Sequence, residues 1–182
     1  MPDGLIEVVV ESVRVHMPSS RHVVILKETG RERYLPIWIG PWEASAIAMR
    51  LQGLTPERPL THDLFASTLE ELGVRIEQVV ISSLAEETFH ARLTLSLDGR
   101  AIEMDARPSD ALALAVRTGV RILAAEDVLD QAGLGGDVDD GDEDPLERAG
   151  VEGRPPDPRL EVFRDFVNSL ETDFGEGGGR ER

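Results

Sequence analysis

The chain opens on Ile6-Glu7-Val8-Val9-Val10-Glu11-Ser12-Val13-Arg14-Val15, rich in β-branched residues and alternating apolar with polar toward its end, the period-two pattern of a strand. Pro18-Ser19-Ser20 reads as a turn into a second strand, His22–Lys27, and Thr29-Gly30 as a turn into a third, Arg33–Ile39. Pro36 has no N–H for a ladder, so the third strand is expected at a sheet edge or at a bulge. Gly40-Pro41 ends that strand and opens a helix. In Trp42–Leu51, residues Ala44, Ile47, Ala48 and Leu51 recur at i, i+3, i+4 and i+7, with Arg50 off that face and Gly53 closing the helix. After a Pro56–Pro59 linker, Thr61 is predicted to cap a second helix running to Leu72, with Leu64, Phe65, Thr68, Leu69 and Leu72 on the helical period and Gly73 past its end.

The pattern returns to strands at Arg75–Ile81 and Phe89–Leu97. Asp98-Gly99 is a hairpin signal leading into Ala101–Asp105. Ser109 is predicted to cap a third helix, Asp110–Arg117, stopped by Gly119; Ile122–Ala124 follows as a short strand and Glu126–Ala132 as a helical turn. Hairpins with helices set between them predict an α+β fold: a mixed, largely antiparallel sheet with three main helices. That domain is expected to fill residues 1–134. Residues 135–158 turn to Gly, Asp, Glu and Pro, the composition of a flexible acidic linker. Leu160, Phe163, Phe166, Val167 and Leu170 then mark an amphipathic helix over 159–173, expected to pack back on the domain or on a partner subunit, before a disordered tail at 174–182.

Composition narrows the chemistry. Of the 182 residues 41% are hydrophobic, enough for a core, yet no run approaches the length of about 18 residues that spans a bilayer. The acidic start, MPDGLIEVVV, lacks the basic flank of a signal peptide, so a cytoplasmic protein without membrane attachment is expected. Cysteine is absent, which excludes disulfides, thiolate nucleophiles and zinc–sulfur sites. Any metal would rest on oxygen ligands or the four histidines, pointing to Mg2+ or Mn2+. Residues 1–134 carry 20 acidic and 13 basic side chains, and residues 135–182 carry 15 and 6. This surplus repels nucleic-acid phosphate. Against it, 18 of the 19 basic residues are arginine, whose planar fork suits phosphate.

Two polar stretches fall at predicted helix starts. In Arg58-Pro59-Leu60-Thr61-His62-Asp63, free N–H groups with Arg58 and His62 suit a phosphate or carboxylate; equally, Thr61 caps, Asp63 complements the dipole and His62 satisfies a carbonyl. In Asp105-Ala106-Arg107-Pro108-Ser109-Asp110, two carboxylates five apart suit one divalent ion with Arg107 facing phosphate; equally, Ser109 and Asp110 cap while Arg107 pairs with Asp105. Glu43 is either a dipole-complementing residue or a further carboxylate of the same site. His16, His22 and His90 lie in strand-like runs and read as surface or packed residues. Trp38 and Trp42 suit either base stacking or the core, with a core role expected for at least one.

At these same stretches the sequence resembles the bifunctional nuclease (BFN) family. The likeness runs through Tyr34-Leu35-Pro36-Ile37-Trp38-Ile39-Gly40, Glu43-Ala44 with Ala46-Ile47-Ala48, Arg58-Pro59-Leu60-Thr61-His62-Asp63-Leu64, Thr88-Phe89-His90-Ala91, and Asp105-Ala106-Arg107-Pro108-Ser109-Asp110-Ala111 with Ala113-Leu114-Ala115. It covers roughly residues 5–134. Val162–Asn168 also resembles the short tail helix of bacterial members. The resemblance implies a nuclease on RNA and DNA, as ascribed to plant members. The expected chemistry is metal-assisted phosphodiester hydrolysis, with Glu43, Asp63, Asp105 and Asp110 as ligands of Mg2+ or Mn2+. His62, Asp63, Asp105, Arg107 and Asp110 would be catalytic, and Arg58, Thr61 and Ser109 would bind substrate. This requires three helix starts to meet at one cleft. The competing expectation is a non-catalytic homo-oligomeric regulatory module that takes a small anion or a protein partner at the same helix ends.

Overall fold

The computed structural model describes residues 4–16 and 19–135, so the expected linker beyond its first residue, the tail helix and the terminal tail lie outside the described residues, as does part of the Pro18 turn. In order, the elements are β1 (Leu5–His16), β2 (Arg21–Glu28), β3 (Arg33–Ile39), α1 (Pro41–Leu51), α2 (Thr61–Glu71), β4 (Arg75–Ala85), β5 (Thr88–Leu97), β6 (Arg100–Ala106), α3 (Pro108–Thr118), β7 (Arg121–Ala125), α4 (Glu126–Ala132) and β8 (Leu134–Gly135).

All the strands join one sheet, ordered β6-β5-β4-β7-β1-β2-β3-β8. The hairpins β1–β2–β3 and β4–β5–β6 are antiparallel, and the late strand β7 slots between them, antiparallel to β1 and parallel to β4. The α+β architecture with a mixed, largely antiparallel sheet is therefore observed. β8 pairs only with Arg33 and Tyr34, so beyond Tyr34 no described strand flanks the outer side of β3. Pro36 sits in that stretch, opposite Ile25 of β2, on a strand open on its outer side as expected for a residue with no N–H.

α3 is the central helix. Pro108, Ser109 and the run Ala111–Ala115 are all buried, which its small alanines permit by letting neighbours approach closely. Val8, Val24, Leu26, Leu35, Ile37, Ile81 and Leu93 of the sheet share one core with Ile47 of α1, Leu112 of α3 and Val128 and Leu129 of α4.

Several local expectations are corrected. On α1 the buried positions are Ala44, Ala46 and Ile47, while Leu51 is exposed. Thr61 is the first residue of α2, not its cap; the cap position is Leu60, whose N–H donates to Asp63 Oδ2 at 2.9 Å. No residue of α2 is buried, and Leu64, Phe65 and Leu72 of its supposed core face are exposed. α3 begins at Pro108 with Arg107 as its extended cap residue, so Ser109 lies inside the first turn and makes no capping bond. Neither tryptophan is a core residue: Trp42 is 84% exposed, and Trp38 is half-buried with the Arg21 guanidinium 4.3 Å above its ring.

Candidate active site

Three helix starts meet. α1 contributes Glu43 from its first turn, α2 contributes His62, and α3 contributes Arg107 at its cap and Asp110 in its first turn. The sequence positions these groups by local means. Pro41 and Pro108 occupy the first helical turns of α1 and α3, where a proline costs no helical hydrogen bond. Gly40 caps α1, and a methyl group on it would overlap the Glu43 carboxylate, so glycine there leaves room for that side chain to fold back.

Asp110 is the hub. His62 Nε2 lies 3.0 Å from its Oδ1, and Arg107 donates to both oxygens, Nε to Oδ2 at 2.6 Å and a terminal nitrogen to Oδ1 at 3.0 Å. The other terminal nitrogen of Arg107 is 3.1 Å from Glu43 Oε1. Arg107 thus bridges α1 and α3 while its side chain stays 66% exposed. Burial pushes the Asp110 carboxyl up, but the hydrogen bonds from Arg107 and His62 outweigh it and hold the group below the ordinary carboxylate range. Arg107 is in turn held above its ordinary value, chiefly by the Asp110 hydrogen bonds.

Asp63 faces elsewhere. Its Oδ1 accepts from Arg117 Nε at 2.6 Å, and the same guanidinium donates to the carbonyls of Ala46 at 3.1 Å and Ala113 at 2.9 Å. Burial raises the Asp63 carboxyl, yet the Leu60 N–H and Arg117 overcome it and leave it lowered. Two adjoining grooves, of about 490 and 380 Å3, share Arg50, Asp63, Ser67 and Arg117 on their walls. Neither Arg50 nor Arg117 stands out in the sequence. An arginine in the last turn of a helix reads as a dipole complement, and only the fold reveals that Arg117 turns inward.

The structure therefore brings together Glu43, His62, Arg107 and Asp110, and places Asp63 next door with Arg117. Asp105 does not join them: it lies on the exposed strand β6 opposite Arg92, and Arg107 pairs with Asp110 and Glu43 instead of Asp105. Arg58 and Thr61 are exposed and make no side-chain hydrogen bond among the described residues, and Ser109 is buried. Glu43 and Asp110 spend oxygens on Arg107, and Asp63 spends its own on Arg117 and a backbone N–H. The four carboxylates do not make one ligand set, and no three His, Asp or Glu side chains among the described residues are placed to hold a metal ion.

The lowered Asp63 and Asp110 give an acid-stability prediction. A carboxyl with a depressed folded value binds fewer protons folded than unfolded near pH 4, so its stabilisation is complete above the ordinary range and is lost as pH falls through the folded value. The melting temperature should stay level from neutral to about pH 5 and drop steeply below about pH 4. Thermal melts of an Asp63→Asn, Asp110→Asn double variant should show a shallower acid limb; an unchanged limb would contradict the assignment.

Residues 24–136 match the family model described as the bifunctional nuclease domain. The chain belongs to that family. A BFN relative from Mycobacterium tuberculosis, named only as an uncharacterised protein, is 42% identical over 167 residues, covering 92% of this chain and 96% of that protein. Bifunctional nuclease 1 of rice (Oryza sativa subsp. japonica) is 26% identical over 114 residues, covering 60% of this chain and 34% of the rice protein. Bifunctional nuclease 2 of the same plant is 28% identical over 103 residues, covering 55% and 32%. The shared segment is thus about a third of each rice protein. Among the described residues of this BFN domain no helix is long and apolar enough to cross a membrane.

Proposed function

We propose that this BFN domain cleaves phosphodiester bonds of nucleic acid, with His62 as the acid–base group. The observation that carries the reading is the 3.0 Å contact between His62 Nε2 and Asp110 Oδ1. An ionised Asp110 accepts the Nε2 proton, which fixes the tautomer and leaves Nδ1 as the basic nitrogen. Nδ1 then takes a proton from the attacking water, or from a ribose 2′-hydroxyl in RNA, and returns one to the departing oxygen. Arg107 uses three of its five N–H donors on Asp110 and Glu43, which orients the fork; its exposed remainder answers the charge that builds on the phosphate oxygens. No step is assigned to Mg2+ or Mn2+, because the carboxylates do not gather into a ligand set.

One observation favours the non-catalytic reading: each carboxylate of the cluster is already answered by an arginine, so the site is nearly self-neutralised. The two readings separate in one assay. Purified full-length protein is incubated with single-stranded DNA or RNA in Mg2+, Mn2+ or EDTA. Cleavage that falls about 10²–10³-fold in Arg107→Ala, with a smaller loss in Arg107→Lys, supports hydrolysis at this site. Cleavage untouched by Arg107→Ala would assign it to a contaminant or another site. No cleavage under any condition would leave the anion-binding module as the better reading.

A further inference from the structure

Among the described residues Trp42 is the most exposed large apolar side chain, at 84%. Trp38 has Arg21 over its ring and His16 against its edge, whereas Trp42 has no ring, cation or hydrogen-bond partner among the described residues. A bare indole forgoes one of the largest apolar surfaces a side chain can bury. Its place is set by α1. Trp42, Ala46 and Arg50 form one four-residue ridge of that helix. Ala46 is buried and its carbonyl accepts from Arg117 of α3, and Arg50 Nε reaches the Val116 carbonyl of α3 at 3.4 Å. The ridge therefore runs beside α3, and the two helices point the same way: Glu43 meets Arg107 at their starts, Arg50 meets Val116 near their ends. Trp42 is the first member of the ridge, one residue before Glu43, and helical side chains lean toward the N-terminus. The ring thus stands at the end of the helices where His62, Arg107 and Asp110 gather.

We infer that Trp42 stacks an unpaired nucleobase of a strand whose phosphate lies against Arg107, so that this site takes single-stranded nucleic acid. This rests on the reading of the cluster as the place where the chain holds a nucleic-acid phosphate, and adds the kind of strand. A guanidinium fork answers the phosphate that every nucleotide carries, and a bare aromatic face answers the base beside it. Stacking needs a base whose own face is free, and in a duplex each face is covered by its neighbours. Trp42 so placed favours single strands, loops and frayed ends over paired DNA or RNA, in any sequence, because every base offers a π-face. The surroundings tolerate a polyanion: the start of α1 carries the partial positive charge of its free N–H groups, and Glu43, the acidic residue of that turn, is bonded to Arg107. A protein anchor fits less well, because the next exposed large apolar residue along α1 is Leu51 at its far end, so the ring belongs to no apolar patch of that helix.

Tryptophan fluorescence of the full chain tests this apart from cleavage. In a Trp38→Phe background Trp42 is the sole tryptophan, and the ligand is a short, hydrolysis-resistant phosphorothioate oligothymidylate. The strand should quench Trp42 saturably, and an abasic strand of equal length should not. Anisotropy of the labelled strand should show Trp42→Ala weakening binding about 5–150-fold, the range of one stacked base, with Trp42→Phe keeping most of the affinity. Annealing the strand to its complement should remove the dependence on Trp42. Absence of binding, equal quenching by the abasic strand, or a Trp42→Ala affinity within about twofold of wild type overturns the stacking. A duplex that loses as much affinity in Trp42→Ala overturns the preference for unpaired strands. Trp42-dependent binding by a chain that cuts nothing would sink the hydrolytic reading alone and leave the stacking in place.

Discussion

His62→Ala should lower kcat for phosphodiester cleavage by about 10²–10⁴-fold, the range that a positioned general acid–base group supplies. Under that proposal His62 is the residue to test, because among the described residues it is the histidine tied to Asp110: its Nε2 lies against that carboxylate, and the carboxylate is clamped in turn by Arg107 from the same helix start. Removing the imidazole leaves Asp110 bound to Arg107, so the fold and phosphate contact should survive and KM should change little. Asp110→Asn is the informative companion. It keeps the shape but removes the charge that fixes the histidine tautomer, and it loosens Arg107, so both kcat and KM should worsen. Steady-state kinetics on a short single-stranded oligonucleotide separate the two patterns. A His62→Ala enzyme within about twofold of wild-type kcat would remove histidine from the chemistry altogether.

What the sequence discloses here follows the range of the interactions. Asp98-Gly99 is readable as a hairpin because the turn needs positive φ at both positions, and the backbone has 50° and 78° there. Gly119 is likewise readable, since its φ of 72° ends α3 in the left-handed region. The β4–β5 hairpin carries Glu86 and Glu87 at 48° and 61°, residues that send no such signal, and β4 consequently runs further than its pattern implies. Helix caps fail for a related reason. Thr61 and Ser109 have the right chemistry, but Pro108 pulls the start of α3 forward, and Asp63 takes over the Leu60 N–H at α2. The candidate site is legible as a set of polar helix starts, because each helix start is a local pattern. Its pairings are not, since His62 meets Asp110 across 48 positions and Asp63 meets Arg117 across 54, and no local periodicity encodes such distances. The exposed apolar face of α2 marks a different boundary. Periodicity reports that the residues are apolar on one side, but which side the core covers depends on the sheet.

Arg117→Ala should be the most damaging single change in the domain, costing roughly 3–5 kcal/mol, as expected when one partner of a buried ion pair is removed. Its side chain is 7% exposed and it answers three acceptors on three helices: Asp63 of α2, the Ala46 carbonyl of α1 and the Ala113 carbonyl of α3. Deleting it strands a partly buried carboxylate and takes a side-chain donor from two helical carbonyls. It also removes one of the two polar links, the other being His62–Asp110, that tie α2, a helix with no buried residue of its own, to α3. Arg117→Lys should recover part of the loss, because one ammonium can reach Asp63 or the carbonyls but cannot span them as the fork does. Replacing both members, Arg117→Met with Asp63→Asn, should cost less than Arg117→Ala alone, because no uncompensated charge then remains. Urea denaturation of the three variants measures all of this. An Arg117→Ala protein with a midpoint close to that of wild type would show that α2 is held by something other than this guanidinium.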